Sequence, residues 1–175
     1  MPELHQLDAD HAPAVLAFEL ANRAYFAASI PDRGDEYFER FADRHRALLA
    51  EQEAGVCTFY VLLAGDGSVL GRFNLYDFAD GSADLGYRVA QHVAGRGVAT
   101  AAVRELCGLA VTRHGLRTLR AAAAQANPAS QKVLLKAGFV PDGPAELDGK
   151  PGTWFRCDLT LRSQGPASEV DQGRE

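Results

Sequence analysis

Asp84-Leu85-Gly86-Tyr87-Arg88-Val89 and, after residues 90–94, Gly95-Arg96-Gly97-Val98-Ala99-Thr100 set a strand, a glycine-bearing loop and a helix in direct succession. Leu85, Tyr87 and Val89 alternate with Asp84, Gly86 and Arg88, the period of two expected of a half-buried strand. Beyond the loop, Val98, Ala99, Ala102, Val103, Leu106, Leu109 and Ala110 fall on one face of an α-helix. Glycines at the mouth of such a helix let the backbone come close to a ligand. The unpaired amides there, aided by the helix dipole, point at an incoming anion. A lone Gly-x-Gly also fits a plain tight turn. Two common phosphate loops are excluded. Thr100 stands where a dinucleotide fold carries its third glycine, and Arg117 and Thr118 stand where its ribose-binding acid is sought. No G-x-x-x-x-G-K-S/T occurs anywhere in the chain.

Towards the N-terminus the texture is helical. Asp10 to Ala28 is rich in Ala, Leu and Phe, predicting a helix capped by Asp10 and broken by Pro31 and Gly34. Asp35 to Glu53 repeats its apolar residues at three- and four-residue intervals and predicts a second helix. Val56 to Ala64 and Val69 to Phe78 flank the turn residues Gly65, Asp66 and Gly67 and predict a hairpin, which Asp84 to Val89 extends to a three-strand meander. Towards the C-terminus, Thr118 to Gln125 reads as a strand. Asn127-Pro128 supplies a cap and first turn for a helix to Ala137, and Thr153 to Leu161 reads as a last strand. Residues 1–162 are expected to form one α/β domain. Residues 163–175, with Val170 as their one large apolar side chain, are expected to be a disordered tail.

Composition narrows the function classes. With 47% hydrophobic and 23% charged side chains over 175 residues, the chain suits a single core. Eighteen Lys and Arg against 23 Asp and Glu leave a net charge of -5, which opposes a general nucleic-acid or membrane-surface role. Cys57, Cys107 and Cys157 are odd in number and lack CxxC spacing, so a reducing cytoplasm is expected rather than a disulfide scaffold or zinc site. The apolar stretch Ala12 to Leu20 is interrupted by Pro13 and Glu19 and is too short to span a bilayer, so neither a signal peptide nor a transmembrane helix is expected. The five histidines show no metal-ligand spacing, and no metal is assigned.

Taken together, the helices, the meander, L-G-Y-R-V, the G-R-G-V-A-T loop, N-P-A-S at Asn127 to Ser130 and A-G-F at Ala137 to Phe139 resemble the GNAT acetyltransferases over about residues 1–162. Among these the chain is most similar to the RimJ and RimL type, which acetylates the N-termini of ribosomal proteins. The resemblance implies a mixed, mainly antiparallel sheet flanked by helices and splayed at the cofactor strand. It implies acetyl-CoA as acetyl donor, Val89 pairing its backbone with the pantetheine arm, and the amides of Gly95, Arg96, Gly97, Val98, Ala99 and Thr100 holding the pyrophosphate. His92 departs from the Gln or Arg that usually opens the family's loop, and Gln91 falls one residue early, which puts a side-chain contact in doubt and leaves the backbone cradle intact.

The resemblance also implies roles at the reacting centre. Asn127 would contact the cofactor and Ser130 would protonate the departing thiolate, although both residues also suit plain helix capping. Many relatives use a Tyr where this chain has Leu134. The general base is expected at Glu146, with Asp84 on the cofactor strand as its rival, and either also suits a solvated surface carboxylate. Arg88 and Arg104 are candidate anion ligands or plain surface arginines, Trp154 and Phe155 core or groove-lining aromatics, and Cys107 a buried thiol rather than a nucleophile. The expected activity is direct transfer to a primary amine, foremost a protein N-terminus. A polyamine or aminoglycoside acceptor and a non-catalytic acyl-CoA-binding module stand as alternatives, and the resemblance leaves room for a homodimer.

Overall fold

The computed structural model describes residues 1–161, so the expected tail at 163–175 lies outside them. Among the described residues, seven strands form one sheet: β1 (Glu3–Gln6), β2 (Thr58–Leu63), β3 (Val69–Ala79), β4 (Ser82–Val89), β5 (Thr118–Ala124), β6 (Val140–Leu147) and β7 (Lys150–Asp158). Their order is β1-β2-β3-β4-β5-β7-β6, antiparallel at every pair except the parallel β4 and β5. The helices are α1 (Ala12–Ala21), α2 (Arg23–Ala27), α3 (Asp35–Glu39), α4 (Phe41–Glu53), α5 (Val98–Thr112) and α6 (Pro128–Lys136). The mixed, mainly antiparallel α/β architecture expected from the sequence is the one observed.

The apolar pattern divides between two faces. From α5, Ala102, Val103, Leu106, Cys107 and Ala110 pack with Leu134 of α6 onto Phe73, Leu75, Leu85, Leu119 and Phe155 of the sheet. On the other face, Val15, Phe18, Phe26, Tyr37 and Phe41 of α1 to α4 cover Phe59, Val61 and Val69. Strand β2 lies between both layers, which explains its nearly unbroken apolar run: Tyr60 and Leu62 join one core, Phe59 and Val61 the other.

Several sequence expectations need correction. The first helix is not continuous and Asp10 does not cap it. Asp8 caps a short 3-10 turn over Ala9–His11, and the chain breaks again at Asn22 between α1 and α2. Asn22 is buried, donating to the Phe18 carbonyl and accepting from the Gln91 amide at 3.0 Å, so a tertiary contact interrupts a run that contains no Pro or Gly at that point. The second helix breaks at Arg40. The last strand begins at Lys150 rather than Thr153 and ends at Asp158, followed by a 3-10 turn over Leu159–Leu161. It pairs with β6 through Asp148-Gly149, both at positive φ, an Asp-Gly hairpin turn that the expected strand start at Thr153 overlooked.

Candidate active site

The loop between β4 and α5 is exposed and ends in two left-handed glycines, Gly95 at φ 75° and Gly97 at φ 77°. Nothing lies within 4 Å of where a Cβ would stand on either, so the glycines answer to backbone conformation rather than crowding. Gly97 caps α5 without a side-chain bond, and among the described residues no amide from Gly95 to Thr100 has an acceptor outside the helix. Six free N–H groups at the positive end of a 15-residue helix make a fitting seat for a pyrophosphate. Arg96 is exposed on this loop, while Ala99 and Thr100 are buried where α5 meets the sheet.

Strand β4 leads into this loop, and its edge opens there. It pairs with β5 only at Ser82, Ala83 and Asp84, opposite Thr118, Leu119 and Arg120. On its other side it stays paired with β3 as far as Val89 opposite Gly71. From Leu85 to Val89 the β5-facing edge is therefore unpaired and available to an extended ligand arm.

On the α5 and α6 face of that opening, the Tyr87 hydroxyl lies 3.0 Å from Ser130 Oγ and 3.4 Å from the Ser130 carbonyl. The Tyr87 ring stacks on Phe73, with centroids 5.7 Å apart, and burial raises the pKa of its phenol, so the hydroxyl keeps its proton. Asn127 caps α6 by accepting from the Ser130 amide at 3.2 Å, so the capping reading of Asn127 holds. Leu134 is fully buried in the core. A hydroxyl from β4 thus reaches Ser130, a contact the sequence reading missed. Its one available sign was the period-two pattern that puts Tyr87 on the face of Leu85.

The opposite face of β3 and β4 carries a polar row. Cross-strand pairing sets Tyr76 beside Asp84, Asn74 beside Gly86, and Arg72 beside Arg88. Asp84 is half-buried, and its pKa is raised chiefly by burial, with Arg120 opposing and Asp77 adding to the shift. Arg120 lies over the Trp154 ring, 4.1 Å from its centroid, so Trp154 lines this open face while Phe155 enters the core. Glu146 stands exposed near the end of the β6–β7 hairpin, opposite Pro151, and among the described residues it has no hydrogen-bond or ion-pair partner. The chain brings Asp84 and Ser130 to β4 from opposite faces, while Glu146 belongs to a separate hairpin. Arg88 turns to a buried carboxylate, Glu19, and Arg104 donates to the Lys136 carbonyl at 2.6 Å. Cys107 is fully buried in the core.

A strand that parts from its parallel neighbour beside an amide-lined helix mouth is the geometry of an acyl-CoA transferase, and the family model for the acetyltransferase (GNAT) domain matches residues 3–140. The chain belongs to the GNAT family of acetyl-CoA-dependent N-acetyltransferases. Among its relatives is a protein of Bacillus subtilis (strain 168) named “Putative ribosomal N-acetyltransferase YdaF”, 32% identical over 143 residues that cover 79% of this chain and 74% of the relative. The fold matches that of RimJ from Mycobacterium smegmatis in complex with CoA-disulfide, at TM-score 0.81 and 23% identity over 93% of this chain and 84% of that one. It also matches a chimera of spermidine N-acetyltransferase SpeG from Vibrio cholerae and hSSAT, at TM-score 0.77 and 14% identity over 94% and 99%. At these identities the two structural matches speak to the fold. Among the described residues, no helix is long and apolar enough to cross a membrane.

Proposed function

We propose that this chain acetylates the α-amine of a protein N-terminus, with a ribosomal protein as the acceptor class, by direct attack within a ternary complex. The relative YdaF supports that class by its name. The observation that carries the chemistry is the opening of β4 after Asp84, with the Tyr87–Ser130 pair on one face and Asp84 on the other. Acetyl-CoA supplies a thioester whose acetyl carbon is open to attack by an amine. The amides of residues 95–100 seat its pyrophosphate, and the free edge of β4 up to Val89 aligns its arm, with Asn127 beside it. Asp84 takes the proton from the incoming ammonium: it stands where β4 opens, and burial raises its pKa, which suits a general base. The Tyr87 hydroxyl stands 3.0 Å from Ser130 Oγ, and with the phenol as donor the serine hydroxyl is free to donate to the departing thiolate.

The test is mass spectrometry of protein N-termini from cells with and without the enzyme, beside thiol-release assays on spermidine and an aminoglycoside. Acetylation confined to protein N-termini is the expected result. Turnover of spermidine with no N-terminal change would overturn the acceptor class, and tight acetyl-CoA binding without thiol release on any amine would favour a binding module.

A further inference from the structure

The polar row on β3 and β4 continues beyond Asp84 into a group of arginines that the transfer chemistry leaves unused. Glu19 of α1 is buried to 1% exposure and accepts from three guanidiniums. Arg72 Nη1 donates at 2.8 Å, Arg33 Nε and Nη2 each at 3.2 Å, and Arg88 Nη1 at 3.3 Å. One carboxylate thus faces three cations. The acids nearest by, Asp32 and Asp35, are held by Arg23 instead. Arg88 uses a single N–H on Glu19, and its remaining donors have no protein acceptor among the described residues. Rings fix the guanidiniums in place: Arg88 lies over Phe26 and Arg33 over Tyr37, each 4.7 Å from the centroid. Arg33 and Arg88 line a cavity of about 10 Å³ beside Glu19 and Phe26, room for one water or one carboxylate oxygen.

A second observation lies between this group and Asp84. Asn74 Oδ1 is buried and accepts no hydrogen bond. It sits on the rung opposite Gly86, where a Cβ would come within 3.3 Å of the exposed Tyr76 ring. The row thus sets a carboxylate, an unpaired amide oxygen and under-used guanidiniums on successive rungs about 7 Å apart, with the Tyr76 ring beside Gly86 on the middle one. The row accepts N–H groups at one end and donates them at the other.

We propose that Asp84, Asn74 and Arg88, backed by Arg33, form an acceptor-recognition strip that selects an amine whose own chain carries a carboxylate, foremost a peptide N-terminus with Asp or Glu in its first residues. The inference rests on Asp84 as the base, which puts the amine at that end of the row. An extended peptide advances about 3.3 Å per residue and the two rungs from Asp84 to Arg88 span about 14 Å, so an acid at the third to fifth position reaches the arginines while the α-amine stays beside Asp84 and Asn74. A polyamine meets three guanidiniums there and is repelled.

The experiment uses the full chain, acetyl-CoA and synthetic pentapeptides that begin with Ser and carry Asp, Ala or Lys at positions three to five, named the Ser-Asp, Ser-Ala and Ser-Lys peptides, with free serine and spermidine alongside. Free serine separates an α-carboxylate from an acidic side chain as the anion. In kcat/KM the Ser-Asp peptide should exceed Ser-Ala by about tenfold or more, with Ser-Lys and spermidine below both. Arg33→Gln, at the most exposed of the three arginines bound to Glu19, should abolish the preference, and Arg33→Glu should favour Ser-Lys. The acetyl-CoA affinity and melting temperature of each variant report its folding. Equal rates for the three peptides, or spermidine as the best acceptor, would overturn the strip while leaving acetyl transfer intact. If no acceptor turns over, calorimetry with the Ser-Asp peptide decides. Binding that Arg33→Gln removes upholds the strip and counts against acetyl transfer to these peptides, and absent binding overturns the strip.

Discussion

Tyr87 and Ser130 illustrate how a single hydroxyl contact can be tested apart from packing. Tyr87→Phe removes the 3.0 Å contact to Ser130 Oγ and keeps the ring on Phe73. Losing one neutral hydrogen bond should lower kcat by up to about tenfold, with KM for acetyl-CoA unchanged. In a Ser130→Ala background the same change should cost nothing further, because the phenol would then have no hydroxyl to orient; full additivity would place Tyr87 in another role. Asp84 has a different signature. Asp84→Asn should reduce turnover by about 100-fold, with the deficit shrinking as pH rises through the α-amine's range near ~8, where more acceptor is already neutral. Glu146→Gln should stay near wild type. The stability sign runs the other way from activity. A carboxyl whose folded pKa is raised binds its proton more tightly in the native state, so its charged form opposes folding above that pKa. Asp84→Asn should therefore melt no lower than wild type at neutral pH, and a clear drop in melting temperature would show that the carboxylate holds the fold instead.

Among the elements, the break between α1 and α2 is tied to the cofactor loop. Asn22 Oδ1 accepts from Gln91 N at 3.0 Å, and Gln91 opens the 3-10 turn that leads to Gly95. Asn22→Ala should leave that amide unpaired, costing about 1–3 kcal/mol of stability, and should weaken acetyl-CoA binding although Asn22 lies on a different segment from the cradle. Calorimetry on the folded variant checks this, and unchanged affinity would disconnect the loop from α1. The break itself could not be read from the chain, since Ala, Asn and Arg continue a helix at modest cost and the contact that stops it lies 69 residues away. Strand β1 was hidden for a related reason. Glu3-Leu4-His5-Gln6 is an exposed edge strand, mostly polar, and no buried face imposes a pattern on it. Helix α5, by contrast, was legible in full because one of its faces packs against the sheet along its length.

Across the whole molecule, Glu19 joins α1, the segment before α3, β3 and β4 through Arg33, Arg72 and Arg88. Glu19→Gln would leave three guanidiniums facing one another with the carboxylate gone. It should cost about 3–5 kcal/mol, read as a melting temperature lower by roughly 10 °C, and a loss under 1 kcal/mol would mean that solvent already screens the arginines. The chain alone dictates the local and periodic part of this protein. The meander, the glycine loop, helix α5 and the family resemblance all rest on residues whose neighbours in space are also near in sequence, or whose burial imposes a period. The amide cradle belongs there too, because it needs only glycines before a helix. Which side chains meet is settled only by the fold: Tyr87 with Ser130, Asn22 with Gln91, Glu19 with three arginines, and Asn74 Oδ1 with no partner among the described residues. These are contacts between single polar groups distant in the chain. No period marks them, because each depends on the sheet register and on which face a strand presents, and both are set only when the two cores close on either side of it.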